Sequence, residues 1–264
     1  MFRPCLFILL LPLSQPAWAG QWLLQHDRWQ AGSDLQSQRE TRLQYDWQAA
    51  DSAGHLRFAY QPLHLSESGP FPEAAHNGHL YEYGLRYEHH WSMLSLGVAA
   101  GAHISSNMFI HADLREEALV GSLDLRLGAT DDEWRPGMAA DHRFGRFLLY
   151  PTLQWQSADR SLLIELPNRM LWRSGEGDWS MSIERYGQKW GVLDRDRQQA
   201  SKVYLNEWRL ELRRHWPLSS ESAVEAGLGM SVDRQLRYQA TSGRVSRVRP
   251  DDRLFLSLAW RQSF

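Results

Sequence analysis

Cysteine is almost absent from this chain of 264 residues, and the single one is Cys5. Cys5 precedes the apolar run at residues 6–13, whereas the cysteine of a lipoprotein follows such a run. If the N-terminal segment is removed on export, the mature chain has no cysteine. Neither a disulfide nor thiol chemistry can then carry its function.

Lysine is also scarce, with Lys189 and Lys202 as the only two, so arginine carries nearly all the positive charge. Arginine favours bidentate pairing with carboxylates or phosphates, although a GC-rich genome would produce the same bias. The formal net charge is -2, which argues against general nucleic-acid binding.

Long apolar runs are missing as well. None of about 18 residues or more occurs after residue 20, and the mean hydropathy is -0.51, which argues against a helical membrane protein. Aromatic residues are instead abundant, with 13 Trp, 9 Tyr and 9 Phe. They suit either a large soluble core or two interfacial girdles of a membrane protein.

Residues 1–19 are organised like a cleavable signal peptide. Arg3 gives a positive start, residues 6–13 form the apolar stretch, and Ala17-Trp18-Ala19 fits the small-x-small cleavage rule. Pro12, Pro16 and the short length of the segment argue against an anchor helix. We therefore expect a signal peptide at 1–19 and one domain at 20–264, located in the periplasm, outside the cell or in the outer membrane.

Period-two alternation dominates the rest of the chain and is clearest in its last residues. Leu254, Leu256, Leu258 and Trp260 alternate with mostly small or polar residues, and the printed chain ends at Phe264. Many segments reach nine to twelve residues, against a usual five or six or so. Long segments that are apolar on one face and polar on the other indicate a transmembrane β-barrel rather than a soluble sandwich.

The last strand resembles that of bacterial outer-membrane β-barrels, which ends in an aromatic residue, usually Phe. The resemblance implies this fold and compartment, and it implies that Phe264, Trp260 and Leu258 form the signal read by the barrel-assembly machinery. Residues 80–264, with Gly145-Arg146 and Tyr150-Pro151, are also similar to outer-membrane barrels of unknown function, and this second resemblance names no activity.

The number of strands follows from the segments and their connections. Counting residues 161–173 as one segment gives thirteen, whereas single-chain bacterial barrels are nearly always even-numbered. Either residues 161–173 hold two short strands that turn at Pro167-Asn168, or another segment is not a strand. We predict an all-β, single transmembrane antiparallel barrel of about 12 strands (range about 10–14), with both termini periplasmic.

The predicted inward faces carry charges of both signs. A pore selective for ions would suggest rings of one sign, whereas balance suggests ion pairs that fill a small lumen, with a conducting channel as the alternative. The predicted lumenal charges are Arg42, Asp46, Glu82, Arg86, Asp124, Arg126, Glu207, Arg209, Glu211 and Arg213.

One catalytic motif stands out. His103 and Ser105 lie two apart on a predicted strand, hence on one face, where an imidazole could activate a hydroxyl. The pair resembles the His-x-Ser motif of outer-membrane acyl hydrolases, the lipid A deacylases and the phospholipase, which implies Glu117 as the acidic partner. Ser106 interrupts the family pattern, in which Asn follows the Ser directly. The alternation also places His103 and Ser105 in the lumen and Glu117 outside.

Two further kinds of site were considered. The histidines lack a recognisable metal spacing, so neither a metal nor a cofactor is predicted. The last long loop carries Arg237, Arg244, Arg247 and Arg249, which could bind lipopolysaccharide phosphates or remain simply solvated.

Together these features predict a non-enzymatic outer-membrane barrel, either a small passive channel or a structural or receptor-like surface protein. The alternative is an acyl hydrolase that uses Ser105 and His103. The expected partners are outer-membrane lipids, lipopolysaccharide and the barrel-assembly machinery, with no nucleic acid. The sequence leaves any small-molecule ligand open.

Overall fold

The computed structural model describes residues 19–30, 38–62, 79–111, 113–144, 146–193 and 199–264. The predicted signal peptide lies outside these residues, except for Ala19. Fifteen strands are present in the described part: β1 Ala19–Trp29, β2 Arg39–Gln48, β3 Ser52–Pro62, β4 His79–Trp91, β5 Leu94–Ser105, β6 Leu119–Leu127, β7 Trp134–Asp141, β8 Leu148–Gln156, β9 Leu162–Leu166, β10 Arg169–Arg173, β11 Trp179–Leu193, β12 Ala200–Pro217, β13 Ser222–Gln239, β14 Val245–Val248 and β15 Arg253–Ser263.

The strands close into an antiparallel barrel. From β1 to β13 each strand pairs with the next, and β15 pairs with both β13 and β1. The short strand β14 adds only to the edge of β13. The barrel therefore has fourteen strands, which is the upper limit of the predicted range of about 10–14 and not the predicted number of about 12.

Residues 161–173 hold two strands, β9 and β10, joined at Pro167-Asn168, which is one of the two alternatives that the sequence left open. The register pairs Glu165 with Arg169, an even number of residues apart, so the alternation is preserved and Ile164, Leu166, Met170 and Trp172 continue one even-numbered pattern through the turn. Only the pairing of β9 with β10 separates the two strands, because each is too short to show a pattern of its own.

The alternation places polar and small side chains inside and apolar ones outside. On β15, Phe255 and Ser257 face inward and are 3% and 5% exposed, whereas Leu256 and Leu258 face outward and are 63% and 57% exposed. The other barrel strands repeat this arrangement, with exposed Leu, Trp, Tyr and Met on the outer face. Such an extended apolar surface is not typical of a soluble monomer.

The first and last strands are neighbours, and the backbone N–H of Phe264 donates to the carbonyl of Gly20 at 2.9 Å. Both described ends of the chain therefore lie at one end of the barrel, here called the terminal end. Its connections are short: residues 49–51, 92–93, 128–133, 157–161, 174–178 and 218–221. The opposite, distal end carries helix α1 (Ser106–His111), a 3-10 helix (Glu116–Ala118) and the β14 hairpin.

The wall is uneven at the distal end. Strands β11 to β13 have 15, 18 and 18 residues, whereas β9 and β10 have 5 each. Beyond Glu184, β11 no longer pairs with β10 and instead meets β5, where Gly191 pairs with Ile104. Gly191 contacts Ala118 so closely that a Cβ atom there would clash. The barrel consequently narrows at this end.

A hydrophobic cluster fills the narrowed end. Leu80 of β4 packs against side chains of β11, β12 and β13 from across the lumen, namely Tyr186, Trp190, Val192, Val203, Leu205, Leu236 and Tyr238. Trp190 is fully buried there. This group is called the distal core below. Among the described residues, no helix is both long and apolar enough to cross a membrane.

Candidate functional site

A layer of buried polar side chains crosses the lumen beneath the distal core. At its centre is Glu40 of β2, which is 1% exposed and forms ion pairs with Arg42 at 2.6 Å, Arg57 at 3.3 Å and Arg209 at 3.5 Å. The hydroxyl of Tyr186 on β11 also donates to Glu40 at 3.2 Å. These bonds connect strands from opposite sides of the barrel.

The same layer continues through two more carboxylates. Glu207 pairs with Arg209 at 2.7 Å and with the fully buried Arg234 at 2.9 Å. Glu82 pairs with Arg57 at 3.0 Å and accepts a hydrogen bond from the amide of Gln188. The attraction between opposite charges in contact offsets the unfavourable free energy of removing each charged group from water. Glu40, Glu82, Glu207 and their partners are together called the crossing layer.

Below the crossing layer the lumen contains polar cavities of mixed charge. One, of about 350 Å³, is lined by residues that include Arg42, Glu184, Arg213 and Glu225. Another, of about 330 Å³, includes Arg86, Asp124, Arg126 and Glu165. Arg213 pairs with Glu211 and Glu225, each at 2.9 Å. Both cavities mix charges of the two signs: among the described residues, the second is lined by four arginines and four carboxylates, and the first by seven arginines and four carboxylates.

The structure places all of the predicted lumenal charges on inward positions of their strands, and most of them pair with a neighbour. These are Arg42 and Asp46 of β2, Glu82 and Arg86 of β4, Asp124 and Arg126 of β6, and Glu207, Arg209, Glu211 and Arg213 of β12. Sequence reasoning did not single out Glu40, Tyr186 or Arg234. Glu40 shares the parity of Arg42, which was the only signal available for it.

His103, Ser105 and Glu117 are not assembled as a triad. Nδ1 of His103 contacts the carbonyl oxygen of Lys189 at 2.9 Å. Ser105 is fully buried, and its hydroxyl has no hydrogen-bond partner among the described residues. Glu117 lies in the 3-10 helix rather than on a strand. His103 and Ser105 face inward, as their parity predicts, and the geometry provides no activated hydroxyl.

The arginines of the last loop take two different positions. Arg237 of β13 and Arg247 of β14 are register partners, and together with Arg249 they line a pocket on the outer face, whereas Arg244 lies in the turn and does not line it. A bulge turns Arg237 outward. Asp233 adopts a positive φ of 48°, and the pairing with β12 shifts by one residue there.

The residues of the predicted assembly signal lie on the outer surface, from Leu258 in the middle of β15 to Phe264 at the terminal end. Leu258 and Trp260 face outward and are 57% and 42% exposed, and Phe264 is 72% exposed. The part of the chain that the structure describes contains no group of three or more His, Cys, Asp or Glu that could hold a metal ion.

Comparisons with known proteins find similarity only between structures. No protein family and no curated protein matches the chain. Among solved structures, it is similar to a bacterial polysaccharide outer membrane secretin (12% identity, 93% of this chain and 98% of that chain covered, TM-score 0.39). It is similar to the Pseudomonas putida toluene transporter TodX (11% identity, 93% and 89% covered, TM-score 0.35) and to Neisserial surface protein A (9% identity, 94% and 97% covered, TM-score 0.26). At these TM-scores the similarities carry no argument about function.

Proposed function

We propose that the chain is an exported outer-membrane β-barrel with a closed lumen, which acts as a structural or receptor-like surface protein rather than as a passive channel. The single observation that carries this proposal is that side chains of the barrel wall itself pair and pack across the lumen, in the crossing layer and the distal core.

The membrane location rests on the outer face of the barrel. Its outward side chains are large, apolar and half-exposed on nearly every strand, as at Leu43, Leu85, Leu123 and Leu256. A closed barrel leaves no unpaired backbone edge, which is the condition for crossing a lipid bilayer with strands. We propose that the terminal end, with its short turns, faces the periplasm and that the distal end faces outward, as short and long connections are distributed in such barrels.

The closure rests on two successive barriers. A hydrated ion that entered from the terminal end would first meet Glu40, which already pairs with Arg57 and Arg209. Beyond them it would meet the distal core, where Leu80 and Trp190 are 1% and 0% exposed. Opening a path would require both the separation of buried ion pairs and the unpacking of an apolar cluster.

Conductance across a planar lipid bilayer tests the proposal. The purified wild-type barrel should insert and show no discrete openings. The matched variant combines Leu80→Ala, Tyr186→Ala and Trp190→Ala, which removes the distal core and the hydrogen bond to Glu40, and it should show discrete openings. A shift in gel mobility on heating checks that both proteins are folded barrels. Discrete openings of the wild type would overturn the closed-lumen proposal and favour the channel.

A further inference from the structure

The distal end carries a second site, on the outer face of the barrel and separate from the lumen. It is a pocket of about 350 Å³ between β12, β13, β14 and the connection after β7. Tyr204 and Asn206 contribute to it from β12 and are each 7% exposed, although they face outward. Phe144 and Val248 also line it. A concave outer surface of this kind can enclose part of a ligand.

Four arginines line the pocket: Arg146, Arg237, Arg247 and Arg249. The described residues of its lining include no aspartate or glutamate. Within the described part of the chain, Arg146, Arg247 and Arg249 form no ion pair, and all three are exposed. The pocket therefore has a strong excess of positive charge, unlike the mixed cavities of the lumen.

The strand register brings two of these charges directly together. Arg237 and Arg247 are opposite each other in the antiparallel pair of β13 and β14. Like charges at opposite positions destabilise a strand pair, because their side chains share one face. The lumenal arginines avoid this repulsion with carboxylates, as Arg213 does between Glu211 and Glu225. At Arg247, which forms no ion pair with the described residues, a bound anion would supply negative charge.

Arg237 is held in place before any ligand arrives. Its guanidinium carbon lies 4.8 Å from the centre of the Tyr204 ring, and Nη2 donates to Oε1 of Gln239 at 2.7 Å. Stacking on an aromatic ring restricts the side chain and so reduces the loss of entropy on binding. A pre-positioned guanidinium fork matches the oxygens of phosphate in a bidentate manner.

We propose that this pocket binds a phosphate-bearing anion. Several arginines suit a group with more charge than a single carboxylate, and a phosphate group carries more than one negative charge near neutral pH. Trp208 and Leu210 follow Asn206 on the same outward face of β12, so the pocket borders the apolar belt of the barrel. This position suits the phosphorylated headgroup of a lipid as well as a free polyphosphate.

The arginines that line the pocket differ from the four that the sequence suggests for binding phosphate. Arg146 joins the pocket from a connection that is distant in sequence, and Arg244 is not among the lining residues. The proposal does not depend on the closed lumen, because the site lies on the outer face. A failure of the conductance experiment would therefore leave it standing, and the reverse also holds.

Binding to the full barrel in detergent micelles tests the site, with inorganic pyrophosphate, bisphosphorylated lipid A and dephosphorylated lipid A as probes. Isothermal titration calorimetry at low and high salt measures the affinity. The test variant is Arg247→Gln/Arg249→Gln. The control is Arg160→Gln/Arg244→Gln, which makes the same change of charge at exposed positions outside the pocket. Heating on gels confirms that every variant is folded.

We expect saturable binding that weakens with salt, an affinity at least tenfold lower in R247Q/R249Q, and an affinity within about twofold of wild type in the control. Binding of both phosphorylated probes supports phosphate as the determinant. Binding of bisphosphorylated lipid A alone assigns the source to a lipid, and binding of pyrophosphate alone assigns it to a soluble anion. Equal binding of dephosphorylated lipid A, no binding of any probe, or an unaffected R247Q/R249Q variant would each overturn the proposal.

Discussion

The hydroxyl of Tyr186 on β11 donates a hydrogen bond of 3.2 Å to Glu40 on β2, across the lumen of the barrel. The two residues are 146 positions apart in the chain. Arg209 lies against the same ring, with its guanidinium carbon 3.3 Å from the ring centre, and also pairs with Glu40. The three side chains thus connect opposite walls, and the stability of the barrel should depend on them.

Replacing Glu40 with Ala should destabilise the barrel strongly. The change leaves Arg42, Arg57 and Arg209 without a carboxylate that they share, and breaking such a buried pair typically lowers the free energy of unfolding by about 3–5 kcal/mol. Urea unfolding in micelles, followed by tryptophan fluorescence, measures the loss.

Glu165→Ala is the matched control for Glu40→Ala. Glu165 also faces the lumen and pairs with arginines, but its side chain is 24% exposed and its ion pairs are 3.5 and 3.9 Å long. We expect a loss of about 1 kcal/mol or less. Equal losses for the two variants would show that Glu40 has no special part in closing the barrel.

Replacing Ser105 with Ala should change neither the lipid A and phospholipid profiles of the cells nor the folding of the barrel. The Ser105 hydroxyl is buried and has no hydrogen-bond partner among the described residues, so its removal relieves an unsatisfied group and should change stability by about 1 kcal/mol or less. Mass spectrometry of lipid A and phospholipids from cells that express wild type or Ser105→Ala should give identical profiles. A product that forms with wild type and disappears with Ser105→Ala would instead support the acyl hydrolase.

Replacing Phe264 with Ala should impair assembly without weakening the folded barrel. The Phe264 side chain is 72% exposed, so it contributes little packing. We expect less folded, heat-modifiable protein in outer-membrane fractions of cells, but an unchanged urea midpoint for the barrel refolded in micelles. Leu218→Ala, at an apolar turn position of the same end that is 65% exposed, should change neither quantity. Normal assembly of Phe264→Ala would show that Phe264 is not part of an assembly signal.

Replacing Gly187 with Ala should loosen the distal end. A Cβ atom at Gly187 would overlap the backbone of Arg143, which cannot move away as a flexible side chain could. Overpacking of this kind typically lowers stability by about 1–3 kcal/mol. Limited proteolysis should cut Gly187→Ala faster than wild type near residues 142–147. Gly84→Ala is the control, because a Cβ atom there meets nothing within 4 Å. Equal cutting rates would argue against close packing between β11 and the connection formed by residues 142–147.

The sequence predicted the barrel because a strand turns successive side chains to opposite faces. This period of two residues can be read from any short segment of a strand. The directions of His103, Arg209 and Leu256 followed from parity alone. Parity was not sufficient at two places. The turn at Pro167-Asn168 preserved it, so that parity left open whether residues 161–173 hold one strand or two, and the bulge at Asp233 reversed it and turned Arg237 outward.

By itself, the sequence determined which residues face into the barrel and which face out, since that property is local. Only the tertiary structure decided which of them meet. Closure between β1 and β15 fixes the curvature, the long β11 leans onto β5, and these two facts bring Tyr186 to Glu40. These two facts do not determine the outer pocket. Arg146 and Arg237 line it together because of the way a loop packs against a strand. Contacts between distant segments carry no periodic signal in a single sequence, because they depend on the register and length of every strand between them.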